Sequence, residues 1–462
     1  MENNISGIKT RFYIIFFCLL LVFIGFFISP VRSLNNKFYD LKLNICGNLR
    51  SDPYQIRKQI VTISVDDIKT IPQIGYPTPD IHAKMIGKLN SYGVNAIFYD
   101  FILRGNIPLS LINATSEAGN VYWPASFNLV KNKNEAFTLD KYTQPFIEII
   151  ERNSLTHNSK SESFWFTGIG SFVNNDLAKA AKGIGHISTG NEENAENDIF
   201  RKAAILVDID GNLFPSVNLL LACDYFQVPK DKIIVNPGRS VILQEAEYPD
   251  GKIIDIVIPI NDKGEMWINY IKPWDVNEHD YLEPFWFVTV LNPEGKPERE
   301  KELSERLKGK ICLVGNASSV NKDIHTVPID TNYPGIGIHS HILYTILSGN
   351  FIRELPIFYS FIIMIMLISI IGYIAMRFNG IFVFILSISA IALYLIFSYS
   401  LFIISGLSLA DLFPIAGVFL IGSINLLGDY LLRGKEIEKL MNNLKSINND
   451  LFQKKRNIGR NA

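Results

Sequence analysis

With 462 residues the chain exceeds one average domain, and its 48% hydrophobic content and mean hydropathy of +0.17 are high for a wholly soluble protein. Its 44 basic and 45 acidic residues leave a net charge of -1, so no global field attracts nucleic acid, and nucleic-acid binding is excluded as a main activity. The four cysteines include no pair at metal-ligand spacing, and Cys223 and Cys312 lie in apolar runs as small buried hydrophobes rather than as halves of a disulfide.

In chain order the first element is Phe12–Val31, a charge-free run after a cytoplasmic tail of residues 1–11. Roughly 20 apolar residues cross a hydrocarbon core about 30 Å thick, so residues 12–31 read as a transmembrane helix. A cleaved signal peptide is the rival reading. The apolar core is longer than a signal h-region, and Ile28-Ser29-Pro30-Val31 offers no clear small-residue cleavage site, so an uncleaved anchor is expected.

Residues 32–354 alternate strand and helix. Ile60-Val61-Thr62-Ile63-Ser64-Val65 is β-branched and ends at Asp66-Asp67, and Pro79 opens a helix that places Ile81, Met85, Ile86 and Leu89 on one face. Gly93 stops it, and Asn95–Tyr99 makes a second strand ending at Asp100, a crossover with a parallel pair. Further strands are expected at residues 120–127, 203–207, 253–260 and 266–271, with a buried helix over Pro215–Phe226. A last strand, Lys310–Val314, leads through Gly315 to a helix over Ile336–Leu347, while Lys131–Ser163 reads as an irregular surface insertion. The expected fold is a three-layer α/β domain with a mixed, largely parallel sheet, plus four transmembrane helices.

The other three spans are Leu355–Met376, residues 380–404 within the run Gly380–Ala410, and residues 409–430. Lys9, Arg11, Arg377, Arg433 and Lys435 can all face the cytoplasm in one topology, which exports residues 32–354 and brings both termini inside. Arg32 and Lys37 dissent mildly. In the cytoplasmic tail, residues 431–462, Ile437, Leu440, Leu444, Ile447 and Leu451 follow a coiled-coil spacing over two heptads. The seam fits either an amphipathic juxtamembrane helix or a dimerising one, and Lys454-Lys455-Arg456 with Arg460 suits anionic lipid. The tail is too short to bury a catalytic core, so no enzyme is expected.

Ligands of open α/β sheets sit outside the carboxyl ends of the strands. Asp66, Asp67 and Asp100 lie at such ends, and the final strand runs into Gly315-Asn316-Ala317-Ser318-Ser319 with Asp323 beyond. Each acid could equally cap a helix or tie a turn. His339 and His341, two apart on a helix, point to different faces and do not share a metal; His339 is expected beneath the final loop, bonded to an acid such as Asp323. The Gly315 loop lacks the Gly-Lys-Ser/Thr of a phosphate cradle. Asp208-Ile209-Asp210-Gly211 has Leu219 where a calcium loop needs glutamate, so it reads as a hairpin turn. No nucleophile-base pair is visible from spacing, and no cofactor or metal is assigned.

At these residues the chain resembles the type-2 CHASE domain, an extracellular sensory domain named for its association with cyclases and histidine kinases. The resemblance covers about Asp40–Leu355. It rests on Val61-Thr62-Ile63-Ser64-Val65-Asp66, on Tyr76-Pro77-Thr78-Pro79 and on Gly93-Val94-Asn95-Ala96-Ile97-Phe98-Tyr99-Asp100. The closing block is the most specific: Leu307–Gly315, then Asp323, Thr326-Val327-Pro328 and Tyr333-Pro334-Gly335-Ile336-Gly337-Ile338-His339. The family also places three spans directly after the domain. Departures are Asp80, where the family usually has Arg, and Arg104-Gly105-Asn106, where it often has an acid.

The resemblance implies a membrane-bound extracytoplasmic sensor, and low thiol use with an Asn-, Ile- and Lys-rich composition points to a bacterial inner membrane. Such a sensor would detect an unknown small-molecule or protein stimulus and pass it through three transmembrane helices to a separate cytoplasmic signalling partner; a homodimer is expected because a coiled-coil seam needs a partner. Asp66, Asp67, Asp100, Asp323, Thr326 and His339 are the candidate ligand-binding residues. The alternatives are a truncated or degenerate receptor-type cyclase or kinase, and an envelope transport or assembly subunit. Against transport, the spans offer little polarity besides Asn425 and scattered Ser.

Overall fold

The computed structural model describes residues 29–65, 77–155, 164–188, 199–274, 284–286, 290, 297–317 and 323–458. The chain forms two units: Asp40–Arg353, and the residues up to Tyr39 together with Glu354–Ala462. Helix α1 covers Ser29–Cys46. Of the expected first span, residues 12–28 lie outside the described residues.

In the first unit every residue of β1 (Ile60–Val65) is buried, as a β-branched strand flanked on both edges and both faces requires. Helix α2 (Pro79–Ser91) starts on proline, buries Met85, Ile86 and Leu89, and ends at Gly93, whose φ of 70° favours glycine. Strand β2 (Ala96–Tyr99) follows, then α3 (Leu109–Ala118) and β3 (Val121–Val130). Helix α4 (Gln144–Asn153), β4 (Phe166–Phe172), α5 (Asn175–Ala180) and β5 (Gly183–His186) come next. The short strands β6 (Lys202–Ala204), β7 (Leu206–Ile209) and β8 (Asn212–Pro215) lead into α6 (Val217–Tyr225). After β9 (Ile233–Asn236), β10 (Ser240–Glu247), β11 (Ile253–Pro259), β12 (Glu265–Trp267) and β13 (Pro284–Trp286), α7 (Pro297–Leu307) precedes β14 (Ile311–Asn316). A hairpin, β15 (Ile324–Val327) and β16 (Asp330–Pro334), then opens α8 (Gly335–Ser348).

The main sheet runs β13-β1-β14-β2-β3-β4-β7-β8, with β5 also paired to β3. Pairing is parallel from β13 to β3, and antiparallel for β3 with β4 and for β7 with β8. Register sets Thr62, Leu313, Phe98 and Tyr122 in one row and Ile63, Val314 and Tyr99 in the next. Because side chains alternate across a sheet, the second row faces a core built by α2, α3, α4, α5 and α7 through Ile86, Leu111, Ile150, Leu177 and Leu303. The first row faces α8 and α6, which lie against β14, β1, β5 and β3. The domain is a three-layer α/β fold.

Several expectations are corrected. Within the described part of the expected insertion, residues 131–155, the chain is not merely irregular, because Phe146, Ile149 and Ile150 recur at helical spacing and seat α4 on the core. The expected strand at residues 203–207 is two strands, since Ile205 leaves the ladder and its N–H turns to the Gly264 carbonyl. The expected strand at residues 253–260 is present as β11 and lies in a separate antiparallel sheet, β9-β10-β11.

In the second unit, α9 (Ile357–Ala375), α10 (Gly380–Ser405) and α11 (Leu412–Ile458) are long and apolar enough to cross a membrane, three such helices among the described residues where four spans were expected over the whole chain. The last span continues into the tail as one helix to Ile458, because no proline or glycine pair interrupts Leu431–Ile458. Small residues let these helices approach. A Cβ on Gly417 would lie 2.7 Å from Ile368 Cδ1 and 2.8 Å from Met364 Cγ, so α9 crosses α11 against bare backbone. Asp411, 1% exposed, accepts hydrogen bonds from Tyr394 Oη at 3.0 Å and Ser398 Oγ at 2.6 Å, tying the start of α11 to α10.

Candidate functional site

The carboxyl ends of β1, β14 and β2 lie side by side, and α8 starts beside them. Asp100 directly follows β2, and its backbone N–H continues the ladder to the Val314 carbonyl at 2.8 Å. Its carboxyl is half-buried, and desolvation, with repulsion from Asp323 second, pushes its pKa up to about 8. Asp323 enters from the loop after β14. Its carboxylate pairs with His325 Nε2 at 3.0 Å and its carbonyl accepts the Gly335 N–H at 3.0 Å. A Cβ on Gly335 would come within 2.8 Å of the Asp323 carboxyl carbon, so only glycine lets the loop close over the helix start.

His339 occupies the second turn of α8. Its Nδ1 accepts from Asn218 Nδ2 at 2.9 Å, which leaves the ring proton on Nε2, and its edge meets Phe98 at 5.4 Å. The expected bond to Asp323 is not made: α6 supplies Asn218 as a closer partner, and Asp323 acts on the ring only through its charge. Burial dominates and lowers the His339 pKa to about 4. His341 turns to different partners, with Nδ1 3.0 Å from both Tyr333 Oη and the Gly337 carbonyl. Thr326 is a tie within the hairpin: its hydroxyl donates to the Thr331 carbonyl at 3.4 Å, and its own carbonyl accepts from the Phe200 N–H at 2.8 Å. Asp66, Asp67, Ser318 and Ser319 lie outside the described residues.

Charge therefore couples Asp100 to Asp323 and Asp323 to His339, while Thr326 joins through the backbone alone. Two further histidines belong to these surroundings, and a third packs on the opposite face of the sheet. His325 also packs edge-on to Phe200 at 4.8 Å, and an acid and a histidine two apart on an extended chain share a face, a signal legible in Asp323-Ile324-His325. His186, fully buried at the end of β5, is lowered to about 3 by burial and then by His339. His82 on α2 lies under the Tyr99 and Phe101 rings, at 5.4 and 5.0 Å, and burial lowers it to about 4. No local pattern announces these two. Among the described residues no group of three or more His, Cys, Asp or Glu is placed to hold a metal ion.

The arrangement offers a proton donor on Asp100, an acceptor on Asp323 and an imidazole on His325, a set that can hydrogen-bond a small polar solute. Helix α8 carries its position across the domain. Beyond its Gly349 cap, Arg50 donates to the carbonyls of Asn350 at 2.6 Å and Phe351 at 3.1 Å, and Asn350 Nδ2 donates to the Ser51 carbonyl at 2.8 Å. The chain segments entering and leaving the domain are thus bound together where α8 ends.

Residues 17–374 match a protein-family model described as CHASE2 domain. No curated protein and no solved structure matches the chain.

Proposed function

We propose a function from one premise: the chain belongs to the CHASE2 domain family, a family of sensory domains. It is a membrane-bound sensor whose domain, Asp40–Arg353, detects a stimulus outside the membrane and passes it through the apolar helices to a separate cytoplasmic partner. The observation that carries this reading is the order of parts. The family match runs from ahead of the α/β domain into α9, and α9 is the first of three consecutive helices apolar enough to span a bilayer.

Residues 12–31 form a further span before the domain, and both termini lie on the cytoplasmic side of a bacterial inner membrane. The basic residues Lys9, Arg11, Arg377, Arg433 and Lys435 support that orientation. The polar cluster of Asp100, Asp323 and His325 suits a small polar stimulus, which biases two packings of α8 only by its difference in affinity for them. The output end of α11 pairs with a second copy, and the pair presents the signal.

Two measurements test this. Asn132→Cys on the exposed α/β surface should react with a membrane-impermeant maleimide in intact spheroplasts; reaction only after lysis inverts the topology and ends the sensor reading. Disulfide yield at Ile447→Cys, measured in membranes, should change at least twofold when Asp323→Asn is added. Identical yields would disconnect the Asp323 cluster from the output helix.

A further inference from the structure

After β2 the chain turns through Arg104-Gly105-Asn106, and Asn174 fixes that turn. Its backbone N–H donates to the Leu103 carbonyl and its Nδ2 to the Gly105 carbonyl, both at 2.8 Å. Between this turn, α4 and the end of β4 opens a cavity of about 340 Å³. That lies within the size range of small-molecule sites, roughly 300–1,000 Å³.

Three features set its chemistry. Arg104 is exposed and is the one charged residue lining the cavity, and among the described residues nothing pairs with its guanidinium. Phe146 is half-buried and stacked on Phe172, with ring centroids 4.7 Å apart and planes 20° from parallel, so the cavity has a flat, rigid apolar wall. Asn175 lines the same space and its Oδ1 is buried without a hydrogen-bond partner among the described residues. An amide so placed can offer either its oxygen or, turned by half a rotation, its NH2.

A lone guanidinium beside a planar apolar wall does not suit a phosphate, which binds best where several cations or backbone N–H groups converge. It suits a carboxylate, whose two oxygens match the guanidinium fork, carried on a flat apolar body. We propose that this cavity is a binding site for a small organic carboxylate with an aromatic or similarly planar body. Arg104 takes the carboxylate, Phe146 takes the ring, and Asn175 takes a polar substituent or the second carboxylate oxygen. Asp100, Asp323 and His325 do not line this cavity, and its occupancy is measured without reference to any signalling output.

The test uses the full chain in lipid nanodiscs, with phenylacetate as probe and phenethylamine as its cationic counterpart, followed by calorimetry and ligand-detected NMR. Phenylacetate should bind saturably and phenethylamine should not. Arg104→Ala should weaken phenylacetate at least tenfold, with Arg104→Lys between the two. Phe146→Leu should weaken phenylacetate while leaving competition by acetate unchanged. Asp323→Asn, outside this cavity, should leave the affinity as it was. The proposal is overturned if phenylacetate does not saturate, if the amine binds equally well, if Arg104→Ala binds within twofold of the native chain, or if Asp323→Asn abolishes binding. Arg104 lies on an exposed turn, so its replacement leaves the core untouched, and an unchanged melting temperature verifies that.

Discussion

The guanidinium of Arg50 donates to the Asn350 carbonyl at 2.6 Å across 300 positions of sequence. It is buried and makes a second bond to the Phe351 carbonyl, so it holds the start of the domain against its end. Hydrogen bonds from a charged donor are worth about 1.5–3 kcal/mol net, and their loss strands buried carbonyls. Arg50→Ala should therefore destabilise the domain by about 2 kcal/mol in thermal unfolding of the full chain in detergent, with Arg50→Lys recovering part of the loss. An unchanged melting temperature would show that the two segments are held by packing alone.

The buried titratable groups predict an optimum in stability against pH. His82, His339 and His341 are each lowered to about 4 and His186 to about 3, all chiefly by burial. A depressed histidine contributes stability that is present above its unfolded pKa of about 6.5 and is lost as pH falls through the folded value. Asp100 has the opposite sign. Its raised carboxyl contributes stability that is complete below about pH 4 and is lost as pH rises to about 8. The histidines outnumber it below pH 6.5 and fall silent above, so melting temperature should peak near about pH 6.5. Asp100→Asn should remove most of the decline between about pH 6.5 and 8, by on the order of 1 kcal/mol per pH unit. A native profile that rises monotonically through pH 8 would contradict the assignment to Asp100.

Much of the scaffold under Asp100 is legible in local pattern. The β-branched run Ile60–Val65, the proline start of α2, the stop at Gly93 and the acid after Tyr99 are all signals within one turn or one strand, and the structure places each as read. Helix α4 is less legible because its apolar residues are embedded in polar flanks, and only tertiary burial of Ile149 and Ile150 makes the helical spacing decisive. The contact of His339 with Asn218 is not legible at all. It joins residues 121 positions apart on α8 and α6, two helices that meet only because β14 and β5 bring them to one face of the sheet. The same holds for the Arg104 cavity, whose walls come from three segments with no shared periodicity.

Close helix approach predicts which substitutions break the apolar unit. Gly417 and Gly422 lie on α11 where α9 and α10 press in: a Cβ on Gly422 would stand 2.6 Å from Ser387 Oγ, as one on Gly417 would crowd Met364. Gly417→Leu should force α9 off α11 and cost about 1–3 kcal/mol, the usual penalty of overpacking. Gly428→Leu is the control, because nothing lies within 4 Å of a Cβ there. Limited proteolysis in detergent should cleave Gly417→Leu faster than the native chain and leave Gly428→Leu unchanged. Equal rates for the two variants would mean that helix contact does not hold this unit together.

The C-terminal end of α11 makes the last prediction. Ile437, Leu440, Leu444, Ile447 and Leu451 are 57–62% exposed, an apolar stripe along a charged helix with no described residue covering it. Water disfavours such a stripe by about 25 cal/mol for each Å² left exposed, so a second copy set alongside gains from burying it. Leu444→Asp places a charge at an a position and should reduce cross-linked dimer in membranes at least fivefold. Glu438→Lys, at b and away from the seam, should leave it within twofold. If Leu444→Asp dimerises like the native chain, the stripe faces lipid or another protein and the two copies do not meet along α11.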